Sequence, residues 1–227
     1  MAKTRANLET NVRYKLDTAA TGGTWADAQL DAYIYQSMNT AWPLFPDSVF
    51  NANATKATTH STDAAALPAG KINSFTRESD DMRVLSLYHS VYSTTTYTGV
   101  VILPSVGELW RQQGLSNNWT SGTSTTYAAV EGCYIWVGPV GLSDSFVETY
   151  LKWPTEMSAD TSLLSDAGLG DNYASAIEDY AVYLALRQTG SPKAEIVLRD
   201  WKANMATIWQ TFSHAPLPAF LDMPKKK

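Results

Sequence analysis

Apolar side chains recur with a helical period at both ends of the chain and with a strand period in its middle. Leu8, Val12 and Leu16 stand four apart, which predicts a helix over residues 3–17 that the Gly22-Gly23 pair ends. Leu30, Ile34, Met38 and Ala41 line a second helix, capped by Thr24 with Asp27 in the capping-box position. Pro43 closes it, because a proline pushes the residue before it, Trp42, out of the α region. After Gly170, Asp171 or Asn172 caps a helix whose stripe is Tyr173, Ile177, Tyr180 and Leu184, and Thr189-Gly190 ends it. Ser191-Pro192 opens the last helix, with Leu198, Trp201, Met205, Ile208 and Phe212 along one side.

Between these ends the period changes to two. Leu85, Leu87, His89 and Val91 alternate with Val84, Ser86, Tyr88 and Tyr92. Threonine, serine, glycine and tyrosine dominate from Ser93 to Val130, as in short strands and turns, with a helical turn at "VGELWRQQG". Cys133, Ile135 and Val137 alternate with Tyr134 and Trp136, and Val147, Thr149, Leu151 and Trp153 alternate with Phe146, Glu148, Tyr150 and Lys152. The two runs are expected to form a hairpin closed by "VGLSDS". Residues 48–70 carry seven alanines and almost no large apolar side chain, which predicts an extended arm or long loop.

Four amphipathic helices flanking a strand-rich middle give an α+β fold: a helical bundle from the N- and C-terminal helices with an inserted antiparallel β-rich domain. The expected divisions are 1–47 for the N-terminal helices, 48–70 for the arm, 71–156 for the β insertion, 157–213 for the C-terminal helices and 214–227 for an extended tail. In that tail Leu217, Phe220, Leu221 and Met223 sit among prolines that forbid a regular helix, ahead of Lys225, Lys226 and Lys227.

Composition narrows the function. A chain of 227 residues, 44% of them hydrophobic, can bury a substantial core. One cysteine excludes an internal disulfide framework and any cysteine-built zinc site, which fits a protein made in a reducing cytoplasm. The start carries charges but no apolar core of signal-peptide length, and no uncharged apolar run approaches the roughly 20 residues of a membrane span, so a soluble intracellular product is expected. Net charge is −5, and without the three terminal lysines fourteen basic residues face twenty-two acidic ones, a net of −8. An acidic body argues against a nucleic-acid-binding surface.

Candidate chemistry is sparse. Cys133 shares its expected face with two aliphatics, and no histidine or basic residue lies close before Lys152, so it is expected to be a buried structural thiol. His60, His89 and His214 show no metal-ligand spacing, and the glycines form no phosphate-cradling loop. Asp80-Asp81 and Glu178-Asp179 are adjacent carboxylates that point apart in a strand or a helix and make poor acid/base pairs, so they read as solvated faces. No catalytic group, metal or cofactor is expected. Tyr134, Phe146 and Tyr150, with Trp136, fall beside Glu148 and Lys152, and a face both aromatic and charged suits subunit contact.

At this point the chain resembles the adaptor, or head-to-tail connector, proteins of tailed bacteriophages. Four features carry the resemblance: the helix pair through "LDAYIYQSMNTAW", the Leu67-Pro68 step before the first strand, "EGCYIWVGP" followed by "FVETYLKWP", and "DNYASAIEDYAVYLALRQTGSPKAEI" at the start of the C-terminal helices. The resemblance covers most of the chain, from about Ala26 to Ile208. The resemblance implies a virion protein, made in the host bacterial cytoplasm, that forms a ring, usually of about twelve copies, under the portal. That ring lengthens the DNA channel, lets DNA pass without specific binding, and offers a platform to tail or nozzle proteins. By analogy with such rings, Pro216, Leu217, Phe220, Leu221, Met223, Lys225, Lys226 and Lys227 are expected to dock on the portal, and Tyr134, Trp136, Phe146 and Tyr150 on neighbouring subunits. A reading of a different class is a carbohydrate-binding β module of a tail appendage, using the aromatic faces for sugar.

Overall fold

A computed structural model describes residues 2–16, 25–61, 71–91, 96–115, 119, 125–141, 144–213, 216 and 218–221. In chain order its elements are α1 (Arg5–Lys15), α2 (Asp27–Ala41), β1 (Thr55–Ser61), β2 (Lys71–Thr76), β3 (Asp81–Ser90), β4 (Thr98–Gly99), β5 (Val101–Leu103) and α3 (Val106–Leu115). There follow β6 (Tyr127–Glu131), β7 (Tyr134–Val140), β8 (Ser145–Lys152), α4 (Leu164–Ala167), α5 (Ala174–Gln188) and α6 (Lys193–Phe212). The fold is mixed α+β, with helices flanking an inserted sheet region. It divides into two compact units, one of Met1–Ala54 with Trp153–Lys227 and one of Thr55–Lys152.

The first unit is the bundle. Thr4 caps α1 through a reciprocal pair of hydrogen bonds with Asn7, satisfying backbone donors that the first turn leaves open. Leu8 and Val12 of α1, Leu30, Ile34 and Met38 of α2, Ile177 and Ala181 of α5, and Trp201 and Met205 of α6 are all buried. α5 packs against α1, α2 and α6. Two hydrogen bonds to its backbone fix the register, from Ser37 Oγ to the Ile177 carbonyl at 2.6 Å and from Trp201 Nε1 to the Ala176 carbonyl at 2.8 Å. The α6 stripe is buried from Trp201 to Ile208, whereas Phe212 is exposed at its end. Charges are buried here only in company, as their desolvation requires. Arg13 meets Glu9, Asp27 and the Trp25 carbonyl, and Lys15 meets Glu178 and Asp179. Glu178 is therefore a buried partner in an ion pair and not part of a solvated face.

The second unit is a sandwich of two four-stranded sheets, in the orders β1-β8-β3-β4 and β2-β7-β6-β5. All pairs are antiparallel except β5 with β6. Leu87 and Phe146 from the first sheet meet Ala128, Ile135, Val137 and Val140 from the second in one core. On its other face the second sheet carries α3, whose Leu109 packs with Ile72 and Ala129. No helix among the described residues is long and apolar enough to cross a membrane.

The structure departs from three expectations. Residues 55–61 are not part of an arm: they form β1, paired with β8 along its whole length, so the insertion begins at Thr55 and not at residue 71. Its threonines suit a pleated surface, and an edge strand with one sheet neighbour needs little apolar bulk. The runs around Ile135 and Val147 do not form a hairpin with each other, because β7 and β8 belong to different sheets. The partner of β7 is β6, across the two-residue turn Gly132-Cys133, where Gly132 takes φ 60°. Cys133 is consequently exposed at a hairpin tip, not buried in a strand face.

Candidate functional site

Of the four residues expected at subunit contacts, the structure leaves only Tyr134 on the surface, 45% exposed. Trp136 is half-buried against the cluster under α3. Phe146 and Tyr150 are fully buried, which removes them as contact residues. The reason lies in β8, which sits between β1 and β3 and turns Phe146, Glu148 and Tyr150 inward, since the rings bury more area than Val147 and Thr149 would. The Tyr150 hydroxyl donates to Asp80 at 2.9 Å, and burial together with Asp80 pushes its pKa up to about 12.

Inward-facing Glu148 organises a polar seam. His60 Nε2 lies 2.7 Å from Glu148 Oε2, and Arg77 Nε donates to Asp81 Oδ2 at 2.6 Å. Glu148 Oε1 and Asp81 Oδ1 are buried without a hydrogen-bond partner among the described residues. Burial raises the Glu148 carboxyl above its ordinary range, the neighbouring Asp81 adds to this, and His60 opposes it. His60 stacks on Phe75 with centroids 4.2 Å apart, and buried His89 stacks on Phe146 at 4.7 Å while reaching Asp144 and Thr126, each at 2.8 Å. Both histidines are thus packed into the sandwich, His60 engaged through Nε2 and His89 through both ring nitrogens. His214 lies outside the described residues. Among the described residues no group of three or more His, Cys, Asp or Glu is arranged to hold a metal ion.

The tail is only partly free for a partner. Leu221 is 1% exposed, buried against its own chain, so it is withdrawn from the expected portal contact. A short 3-10 turn, Ala219–Leu221, packs on α6, with Phe220 6.3 Å from Trp201 and the Lys202 ammonium 4.2 Å over the Phe220 ring. Phe220 itself stays 49% exposed, and Pro216 is exposed. Leu217, Met223, Lys225, Lys226 and Lys227 lie outside the described residues.

Surfaces the sequence did not single out are more prominent. On the sandwich, Trp110 and Leu115 of α3 are 53% and 64% exposed. On the bundle, Ile196 and Phe212 of α6 are 52% and 46% exposed. A groove of about 810 Å³ also opens on the bundle, lined by Arg5, α2 residues including Asp31, Tyr35 and Asn39, and the segment with Trp153 and Glu156. Arg5 is bound to Asp31 at 2.8 Å and to Asp160, and burial holds the Asp31 carboxyl above its ordinary range despite Arg5. The spacing Ala28, Asp31, Ala32, Tyr35, Asn39 marks a second face of α2, but a polar face beside a buried one gives no hint in sequence of what stands opposite.

No protein-family model matches the sequence, and no curated protein matches it.

Proposed function

We propose that this protein is structural: a subunit of the adaptor ring that joins the portal to the tail of a bacteriophage and extends the DNA channel. The observation that carries the reading is the set of large apolar side chains left exposed on two helices, Trp110 and Leu115 on α3 and Ile196 and Phe212 on α6, each about half exposed or more. Closed rings are built from heterologous contacts, in which two different patches of one subunit meet. Large exposed apolar side chains on separate elements are the kind of residue such contacts bury. Three of the four segments that carry the resemblance fall on α2, on β7 and β8, and on α5 running into α6, and Leu67-Pro68 lies outside the described residues.

Portal and tail proteins are the proposed partners, with Tyr134, Pro216 and Phe220 still exposed for contact. The acidic balance of the chain supports a channel through which DNA slides, since carboxylates repel phosphates and release no counterions. The test is to locate the protein in the virion by cryo-EM. Density for this fold as a ring at the portal vertex supports the reading, and density at a tail tip or in the capsid shell contradicts it.

A further inference from the structure

The polar seam of the sandwich ties its two sheets together. His60 of β1 stacks on Phe75 of β2 and meets Glu148 Oε2 of β8 at 2.7 Å. Asp81, the first residue of β3, accepts from Arg77 Nε on Oδ2 at 2.6 Å. Arg77 in turn holds the β6–β7 turn, donating from Nη1 to the Gly132 carbonyl at 3.2 Å and from its amide to the Cys133 carbonyl at 2.9 Å. The crossover from β2 to β3, residues 77–80, is thus fastened both at Asp81 and at the turn.

Each carboxyl group keeps one oxygen that no described residue satisfies, Glu148 Oε1 and Asp81 Oδ1, and both side chains are wholly buried. The two groups are within hydrogen-bond reach of each other, and with Oε2 and Oδ2 taken the contact falls to the two bare oxygens. Two ionised carboxylates cannot share such a desolvated contact, because both oxygens only accept and the charges repel. One proton between them turns the repulsion into a hydrogen bond. A charged His60 would balance charge without supplying that donor, since its Nε2 is committed to Oε2. The other ionisable neighbours do not supply it either. Asp80 is engaged by Lys56 and Tyr150, and Glu78 accepts from Thr58. Arg83 and Lys152 flank Asp81 as strand neighbour and cross-strand partner, and Cys133 borders Arg77, yet none of them bonds to either bare oxygen.

We propose that Glu148 carries a proton in the folded protein and donates it to Asp81, and that this hydrogen bond is a pH-sensitive latch on the crossover from β2 to β3. Losing the proton leaves two like charges in contact in the interior, and Asp81 is the one with an exit. It lines an open cavity of about 440 Å³ with Arg77, Ser79 and Cys133, where water can receive its charge. Glu148 stands mid-strand between β1 and β3 and has no such path. Withdrawing Asp81 releases Arg77 and with it the grip on the Gly132-Cys133 turn, so one proton decides whether this corner is closed or open. The latch belongs to the sandwich alone and is independent of the ring.

Amide hydrogen exchange by NMR on the full chain reads the latch at the Arg77 amide, with rates expressed relative to an unstructured chain at the same pH. An opening that releases one proton should lower Arg77 protection by up to about tenfold per pH unit once pH exceeds the folded Glu148 value, ahead of the amides of central β8, which report global unfolding. Glu148→Gln, whose amide can donate to Asp81 and accept from His60, should keep Arg77 protected with no such slope. Carbon NMR titration of the parent's carboxyl groups should show Glu148 ionising above the ordinary glutamate range, and Asp81→Asn should bring it down. An equal slope in the parent and Glu148→Gln overturns the proposal, as does Glu148 ionising in the ordinary range. Arg77 and β8 exchanging together at every pH would mean that the sandwich opens only as a whole, which also overturns the latch. Should Glu148→Gln not fold, the parent's carboxyl titration and its Arg77-against-β8 comparison decide by themselves.

Discussion

The indole N–H of Trp201 donates to the backbone carbonyl of Ala176 across 2.8 Å, and Trp201 is wholly buried. One side chain thus supplies both packing and register between α5 and α6. Trp201→Ala should destabilise the protein by about 3–5 kcal/mol, the range for removing a large buried aromatic. Trp201→Phe, which keeps most of the packing and loses the hydrogen bond, should cost about 1 kcal/mol more than a simple volume change. Urea denaturation checks both, and a near-neutral Trp201→Ala would mean that α6 is not held to α5 in this way.

Glu148 makes stability depend on pH with a definite sign. Its carboxyl holds a proton more tightly in the fold than in the unfolded chain, through burial first and the neighbouring Asp81 second. Such a group adds stability that is fully present below its unfolded pKa and is lost as pH rises through the folded one. Glu148→Gln keeps the shape and stays neutral, so the melting temperature of the parent should fall relative to the variant as pH rises above about 4.5. A difference that stays constant as pH rises would contradict a desolvated carboxylate pair.

Cys133 is exposed at the tip of the β6–β7 hairpin. It should react fully with a thiol reagent in the native protein, without denaturant. Cys133→Ser should change stability by less than about 0.5 kcal/mol, as surface substitutions do. Protection of the thiol in an unassembled chain would show that the tip is covered.

Gly168 follows α4 with φ 115°, and a Cβ placed there would stand 2.6 Å from the Ala54 Cβ. Both the backbone conformation and the close approach require glycine. Gly168→Ala should therefore destabilise by roughly 2 kcal/mol or more, unlike alanine at a permissive glycine. Thermal melting that stays within a degree of the parent would contradict this packing.

The helices were legible in sequence because their buried side chains repeat every three or four residues, and Leu30, Ile34 and Met38 or Trp201, Met205 and Ile208 keep that spacing without interruption. The α+β class followed from the change of period in the middle of the chain. Strand partnership was not legible, because alternation gives two faces and cannot say which is inner. The inner face of β8 holds a glutamate, which only the presence of His60 four strand positions beyond Lys56 makes tolerable. The Gly-X pair at Gly132-Cys133 was the signal for the β6–β7 hairpin. The groove on α2 depends on Trp153 and Glu156, more than a hundred residues further along the chain, and no local pattern joins them.

A ring subunit is tested by the mass of the purified chain mixed with portal, measured by native mass spectrometry against a subunit of 24.9 kDa. The expected result is a closed oligomer of about twelve subunits that binds portal as a unit, with no open ladder of larger species. A chain that stays monomeric with portal present, or that forms a symmetric dimer and goes no further, would contradict it.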